Sequence, residues 1–73
     1  PFAVPVDSDV SLEIYDLSGR RIQSLVDGEL PGGYHRAVWD GRSGSGLPVA
    51  TGIYFAVLRA GNETTSRKLL LLK

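Results

Sequence analysis

Apolar and polar residues alternate with a period of two near the start of the chain. Within residues 10–15 every second residue is aliphatic, from Val10 to Ile14. This period is typical of a half-buried strand and excludes an amphipathic helix. The following "DLSGRR" predicts a turn, because Gly19 can adopt the positive φ that a tight hairpin needs. We therefore expect "RIQSLV" to be the return strand.

Three further segments have the character of strands. "YHRAVWD" alternates again, and we expect Trp39 to be the largest core residue, mostly buried. "GIYFAVLR" and "RKLLLL" complete a set of five strands at short spacing, without a helical pattern between them. This organisation predicts an all-β fold, a small antiparallel sandwich or barrel. The N-terminal "FAVPV" is compatible with an edge strand, because Pro5 lacks an amide donor.

Size and charge narrow the class of protein. The 73 residues allow one small domain, and the absence of cysteine excludes disulfides and thiolate zinc sites. Eight basic and eight acidic residues give zero net charge, and their scatter argues against nucleic acid or a membrane surface as a partner. No apolar run in the sequence, the four leucines Leu69 to Leu72 included, is long enough to span a bilayer. Because the chain begins with proline, we expect a mature or excised piece of a longer protein.

The glycine-rich segment after Trp39 admits two interpretations. Asp40 with Ser43 and Ser45 offers oxygens to calcium, and the amides near Gly44 and Gly46 suit an anion. However, calcium normally takes about six or more oxygens, only one carboxylate is local, and no helix follows to bind phosphate. We favour a strand connection in which the glycines adopt positive φ and Asp40 caps the turn. The glycines concerned are Gly41, Gly44 and Gly46.

Residues suited to catalysis are few. His35 is the only imidazole, and a Ser-His-Asp arrangement around it would lack a visible oxyanion donor. The acidic pairs at residues 7–9 and 27–29 adjoin turn residues, where carboxylates usually cap backbone groups. We therefore predict no enzyme, no cofactor, no metal and no small-molecule substrate.

The last two strands are apolar on both faces. One face of the first carries Ile53, Phe55 and Val57, and the other carries Tyr54, Ala56 and Leu58. An antiparallel sheet with one wet face should alternate apolar and polar residues. Either a barrel covers both faces within the domain, or the second face docks on another chain or domain. We favour docking, because a chain this short has few residues left to cover it.

Several short motifs together resemble a known family. They are "IYD" with Tyr15, followed by Gly19; the triplet Trp39, Asp40 and Gly41; "GIY" with Gly52 and Tyr54; and a basic-apolar strand ending at Lys73. The pattern is similar to the immunoglobulin-like domain shared by flagellar hook-capping proteins and the C-terminal sorting domains of bacterial type IX secretion cargo. It implies an immunoglobulin-like sandwich over residues 8–73. Residues 1–7 then form an extended segment, a remnant of the family's first strand.

The resemblance implies a secreted or cell-surface bacterial module that sorts or anchors its host through secretion or attachment machinery. The alternative is a self-assembling structural subunit, a homo-oligomer or filament in which "PFAVPV" of one copy completes the sheet of the next. The expected interaction surface combines the apolar residues of the N-terminal segment and the last hairpin: Phe2, Val4, Val6, Ile53, Phe55, Val57, Leu69 and Leu71.

Overall fold

The computed structural model describes residues 2–72 and contains six antiparallel strands. They are β1 (Phe2–Val4), β2 (Ser8–Asp16), β3 (Arg21–Leu30), β4 (Gly33–His35), β5 (Gly52–Ala60) and β6 (Glu63–Leu71). The predicted all-β class is confirmed. Within the part of the chain that the structure describes, no helix has the length and hydropathy of a membrane span.

The strands form two sheets of unequal size. The large sheet has the order β3-β2-β5-β6, so that β2 and β5 are central and β3 and β6 are edges. The small sheet pairs β1 with β4. In the large sheet Leu12 lies opposite Leu58, and Ile14 lies opposite Ala56. Because directly opposed residues point to the same side of a sheet, these four side chains share the inner face.

A turn stabilised by one carboxylate joins β2 to β3. Oδ1 of Asp16 accepts hydrogen bonds from the amides of Ser18 and Arg20 at 3.0 and 2.9 Å. Gly19 has a φ of 89°, as its place in the predicted hairpin requires. The turn therefore follows from the residue types at these positions.

The core lies between the two sheets. Val10, Ile14 and Tyr54 of the large sheet are buried, and β1 contributes Val4, which is 2% exposed. The small sheet has strands of only three residues, against nine or ten in the large one. It therefore covers only part of the inner face.

The structure differs from two expectations about strands. The predicted strand over residues 34–40 ends at His35, and no described strand pairs with residues 36–39. The N-terminal segment is not a free donor either, since Val4 pairs with Gly33 within the same chain. Conversely, β3 extends to Leu30, beyond the end of "RIQSLV".

Candidate interaction surface

Residues suited to catalysis do not converge. Among residues 2–72, no group of three or more His, Asp or Glu side chains is placed to hold a metal ion. Nε2 of His35 lies 2.7 Å from the carbonyl oxygen of Pro31, and its ring packs against Phe2 at 5.6 Å between centroids. His35 therefore packs within the small sheet.

The polar groups of the glycine-rich loop bond to the loop itself and to β3. Oδ1 of Asp40 accepts the amide of Arg42 at 3.1 Å, as expected for a turn cap. Gly41 and Gly46 have left-handed φ values of 77° and 85°. The same expectation for Gly44 is wrong, because its amide is directed to the carbonyl oxygen of Ile22, 2.9 Å away. That bond fastens the loop to the edge strand β3.

Trp39 is mostly buried, as predicted, but it keeps part of its surface exposed and is not the expected largest residue of the core, which consists of Val4, Val10, Ile14 and Tyr54. Its ring packs edge-on against Tyr54 at 5.0 Å, and its Nε1 donates to the carbonyl oxygen of Arg42 at 2.8 Å. The hydroxyl of Tyr54 donates to the carbonyl oxygen of Ala50 at 2.6 Å. The motif residues therefore hold the corner between the loop and β5, and one side of the Trp39 ring lies beside a groove.

The outer face of the β5–β6 hairpin carries an apolar strip, formed by Ile53, Phe55, Val57 and Leu70. Ile53 lies opposite Leu70, and these two side chains are 38% and 67% exposed. Phe55 and Val57 are half-buried. This outer strip is the largest part of the expected interaction surface that the structure places on one face.

A charged network borders the outer strip. The Glu13 carboxylate, opposite Val57, binds the guanidinium groups of Arg21 at 3.0 Å and Arg59 at 3.4 Å. The hydrogen bond from Arg21 lowers the pKa of Glu13, and the bond from the Tyr15 hydroxyl acts in the same direction. Glu13 consequently stays ionised, and the network gives the strip a polar margin.

The remaining residues of the expected surface lie elsewhere. Leu69 and Leu71 point to the inner face, because Leu69 lies opposite the buried Tyr54. Val4 is in the core, and Val6 is exposed in the connection after β1. The eight residues therefore do not form one continuous surface. Sequence periodicity showed that both faces of the hairpin are apolar, but only the register of β6 against β5 shows which leucines share a face.

An inner groove, which sequence reasoning missed, opens where the small sheet does not cover the large one. Its volume is about 530 Å³. Its floor consists of Leu12, Ala56 and Leu58. One wall is β6 and the other is residues 36–39, and Phe2 also lines the groove. One feature of the sequence indicates the groove. Arg67 lies two residues before Leu69 and four before Leu71, so in a strand this charged side chain shares a face with two leucines.

The fold and its turn chemistry define a small immunoglobulin-like domain. The match of residues 2–64 to the model of the FlgD Ig-like domain shows that the chain belongs to that family. It is 38% identical over 69 residues to the basal-body rod modification protein FlgD of Salmonella typhimurium strain LT2 and to that of Salmonella typhi. The alignment covers 89% of this chain.

The chain spans only 29% of the length of these relatives. No solved structure matches it. The relatives support the flagellar half of the expected resemblance, and they give no support to the type IX sorting half.

Proposed function

We propose that this chain is a non-enzymatic structural domain of a protein that assembles the flagellar basal body or hook. The observation that carries this proposal is the 38% identity, over 89% of the chain, to proteins named for modification of the basal-body rod. The domain works there by contacting other protein subunits, on the outer side of the cell envelope. This role replaces the type IX sorting role, which the relatives do not support.

The outer strip is the surface proposed to contact those subunits. Leaving Ile53 and Leu70 in water is unfavourable by roughly 25 cal/mol for each Å² of apolar surface that a partner would cover. An apolar centre with a charged margin is also the usual composition of a protein–protein interface. Here Phe55 lies at the centre and the Glu13 network lies at the margin.

Self-assembly is the second candidate for the partner. It is favoured by the edge strand β6, which has no neighbouring strand on its outer side among residues 2–72. An unpaired edge is a template for a strand of another copy. The N-terminal segment is not the donor in this version, since β1 pairs with β4 of its own chain.

A domain exchange tests the function. The chain replaces the matched 69 residues of the Salmonella typhimurium protein, and rod and hook assembly is followed by electron microscopy. We expect the exchange to support assembly, and Leu70→Glu or Phe55→Glu within it to block assembly. Asn62→Glu, which adds the same charge at an exposed position of the β5–β6 turn and outside the strip, is the control and should assemble normally.

The exposed position of Leu70 keeps the surface test informative, because a charge there leaves the core intact. Thermal unfolding of each isolated domain verifies that the variants fold. An exchange protein that does not support assembly would contradict the function. Normal assembly with folded Leu70→Glu and Phe55→Glu would contradict the surface alone. Sedimentation of the isolated domain distinguishes copies of the chain from other subunits as the partner.

A further inference from the structure

We propose that the inner groove is an acceptor site for an extended segment of a partner protein, with apolar residues and a carboxylate on the side that faces the groove. The site lies on the opposite face of the large sheet from the outer strip. It therefore goes beyond the proposed function, and either proposal can fail without the other.

The first argument is the incomplete cover of the core. Leu12, Ala56 and Leu58 lie on the same inner face as the buried Ile14, yet all three keep part of their surface exposed. A volume of about 530 Å³ is within the range of sites that bind peptides and small molecules. The groove therefore has room for a row of aliphatic side chains on an apolar floor.

The second argument is unpaired backbone along both walls. β6 is an edge of the large sheet, and a strand added beside it would direct alternate side chains into the groove. On the opposite wall, residues 36–39 belong to no strand and make no backbone hydrogen bond within residues 2–72. Both walls thus offer amide and carbonyl groups, which is the requirement of an extended peptide rather than of a compact apolar ligand.

The third argument is charge, and it specifies the occupant. Arg36 and Arg67 both line the groove, and Arg67 reaches it from the inner face because it lies opposite Ala56. Every ion pair within residues 2–72 uses another arginine, so that these two guanidinium groups have no carboxylate partner there. The paired arginines are Arg20, Arg21, Arg42 and Arg59. Two cations beside an apolar floor are complementary to a segment that carries one acidic residue among aliphatic ones.

The chain's own N-terminal segment does not meet this description. Val4 is buried in its own core, and Phe2 already lines the groove and packs on His35. Residues 2–6 also contain no carboxylate. These residues are therefore not the occupant, the groove is assigned to a partner protein, and a second copy of this chain becomes an outcome of the test.

The only tryptophan of the chain supplies the measurement, since Trp39 lies in the groove wall and keeps part of its surface exposed. The probe is the capped peptide TVTDTVT, whose valines and aspartate lie on one side when it is extended. Titration should shift the Trp39 emission to shorter wavelength with saturation. The peptide TVTKTVT, with lysine in place of aspartate, should bind at least about tenfold more weakly, as the loss of one charge-assisted hydrogen bond implies.

Neighbouring residues of β6 provide a matched pair of variants. Arg67→Gln should weaken binding of TVTDTVT about tenfold. Lys68→Gln removes the same charge one position along, but Lys68 lies opposite Phe55 on the outer face, and binding should not change. Phe55→Glu, a variant of the outer strip that does not line the groove, should also bind normally.

Three results would overturn the proposal. The first is no emission shift at millimolar peptide, and the second is equal weakening by Arg67→Gln and Lys68→Gln, which would show only general attraction of charge. The third is a pair of observations made without peptide. The Trp39 emission shifts as the protein concentration rises, and sedimentation shows a dimer that the substitution Arg67→Gln dissociates. That outcome would assign the groove to a second copy of the chain.

Discussion

Gly41 illustrates how one residue connects the loop to the sheet. Its φ of 77° lies in the left-handed region, where a side chain is strained. It is also buried, and a Cβ atom there would lie 3.4 Å from Cδ1 of Leu71. The Trp-Asp-Gly triplet indicated the turn, but the approach of Leu71 depends on how β6 ends beside the loop.

Replacement of Gly41 should therefore destabilise the domain. Gly41→Ala should lower the free energy of unfolding by about 1–2 kcal/mol, the cost of a left-handed backbone for a residue with a Cβ. Gly44→Ala is the control: its φ is not left-handed and a Cβ there meets only ordinary contacts, so the change should stay within about 0.5 kcal/mol. Urea titration measures both. Equal effects of the two substitutions would refute this account of Gly41.

At the scale of elements, the β2–β3 hairpin depends on ionised carboxylates. Asp16 accepts bonds from the Ser18 hydroxyl and the Arg20 amide, which lower its pKa from the ordinary 3.8 to about 2. On the strand itself, Glu13 also has a lowered pKa because of its hydrogen bond with Arg21. A carboxyl whose pKa is lower in the folded than in the unfolded state stabilises the fold only while it is ionised.

The free energy of unfolding should therefore depend on pH in the acidic range. The contribution of Asp16 is complete above about pH 4, the pKa of an unfolded aspartate, and is lost as the pH falls through about 2. Urea titrations at several pH values should show this loss, and Asp16→Asn should make the decline shallower. Some decline should remain because Glu13 still titrates. An identical decline in the wild type and Asp16→Asn would contradict the role of Asp16.

The sequence predicted local structure well and the pairing of distant strands poorly. The alternation over residues 10–15 and the turn at Gly19 were predictable, because neighbours in sequence determine them. The end of β4 at His35 was not, since "YHRAVWD" alternates throughout although no described strand pairs with residues 36–39. The inner groove was missed for the same reason: it exists because residues 36–39 leave the sheet while the alternating pattern continues.

At the scale of the whole molecule, stability depends on a small sheet that covers a large one. β1 and β4 pair over three residues each, and even two strands joined in a hairpin are only marginally stable on their own. Their contribution comes from packing, because Val4 is buried as completely as Val10 and Ile14 of the large sheet. The N-terminal segment is therefore part of the domain's own core rather than an appendage.

Substitutions in the N-terminal segment test this view. Val4→Ala should lower the free energy of unfolding by about 2 kcal/mol, the loss of two buried carbons and the cavity they leave. Val6→Ala, at a side chain that is 67% exposed, should change it by less than about 0.5 kcal/mol. Deletion of residues 1–6 removes Val4 and the partner of β4 together, so the remaining chain should unfold at much lower urea. A truncated chain that kept the wild-type midpoint would show that the large sheet is stable without its cover, and that the segment is free to pair elsewhere.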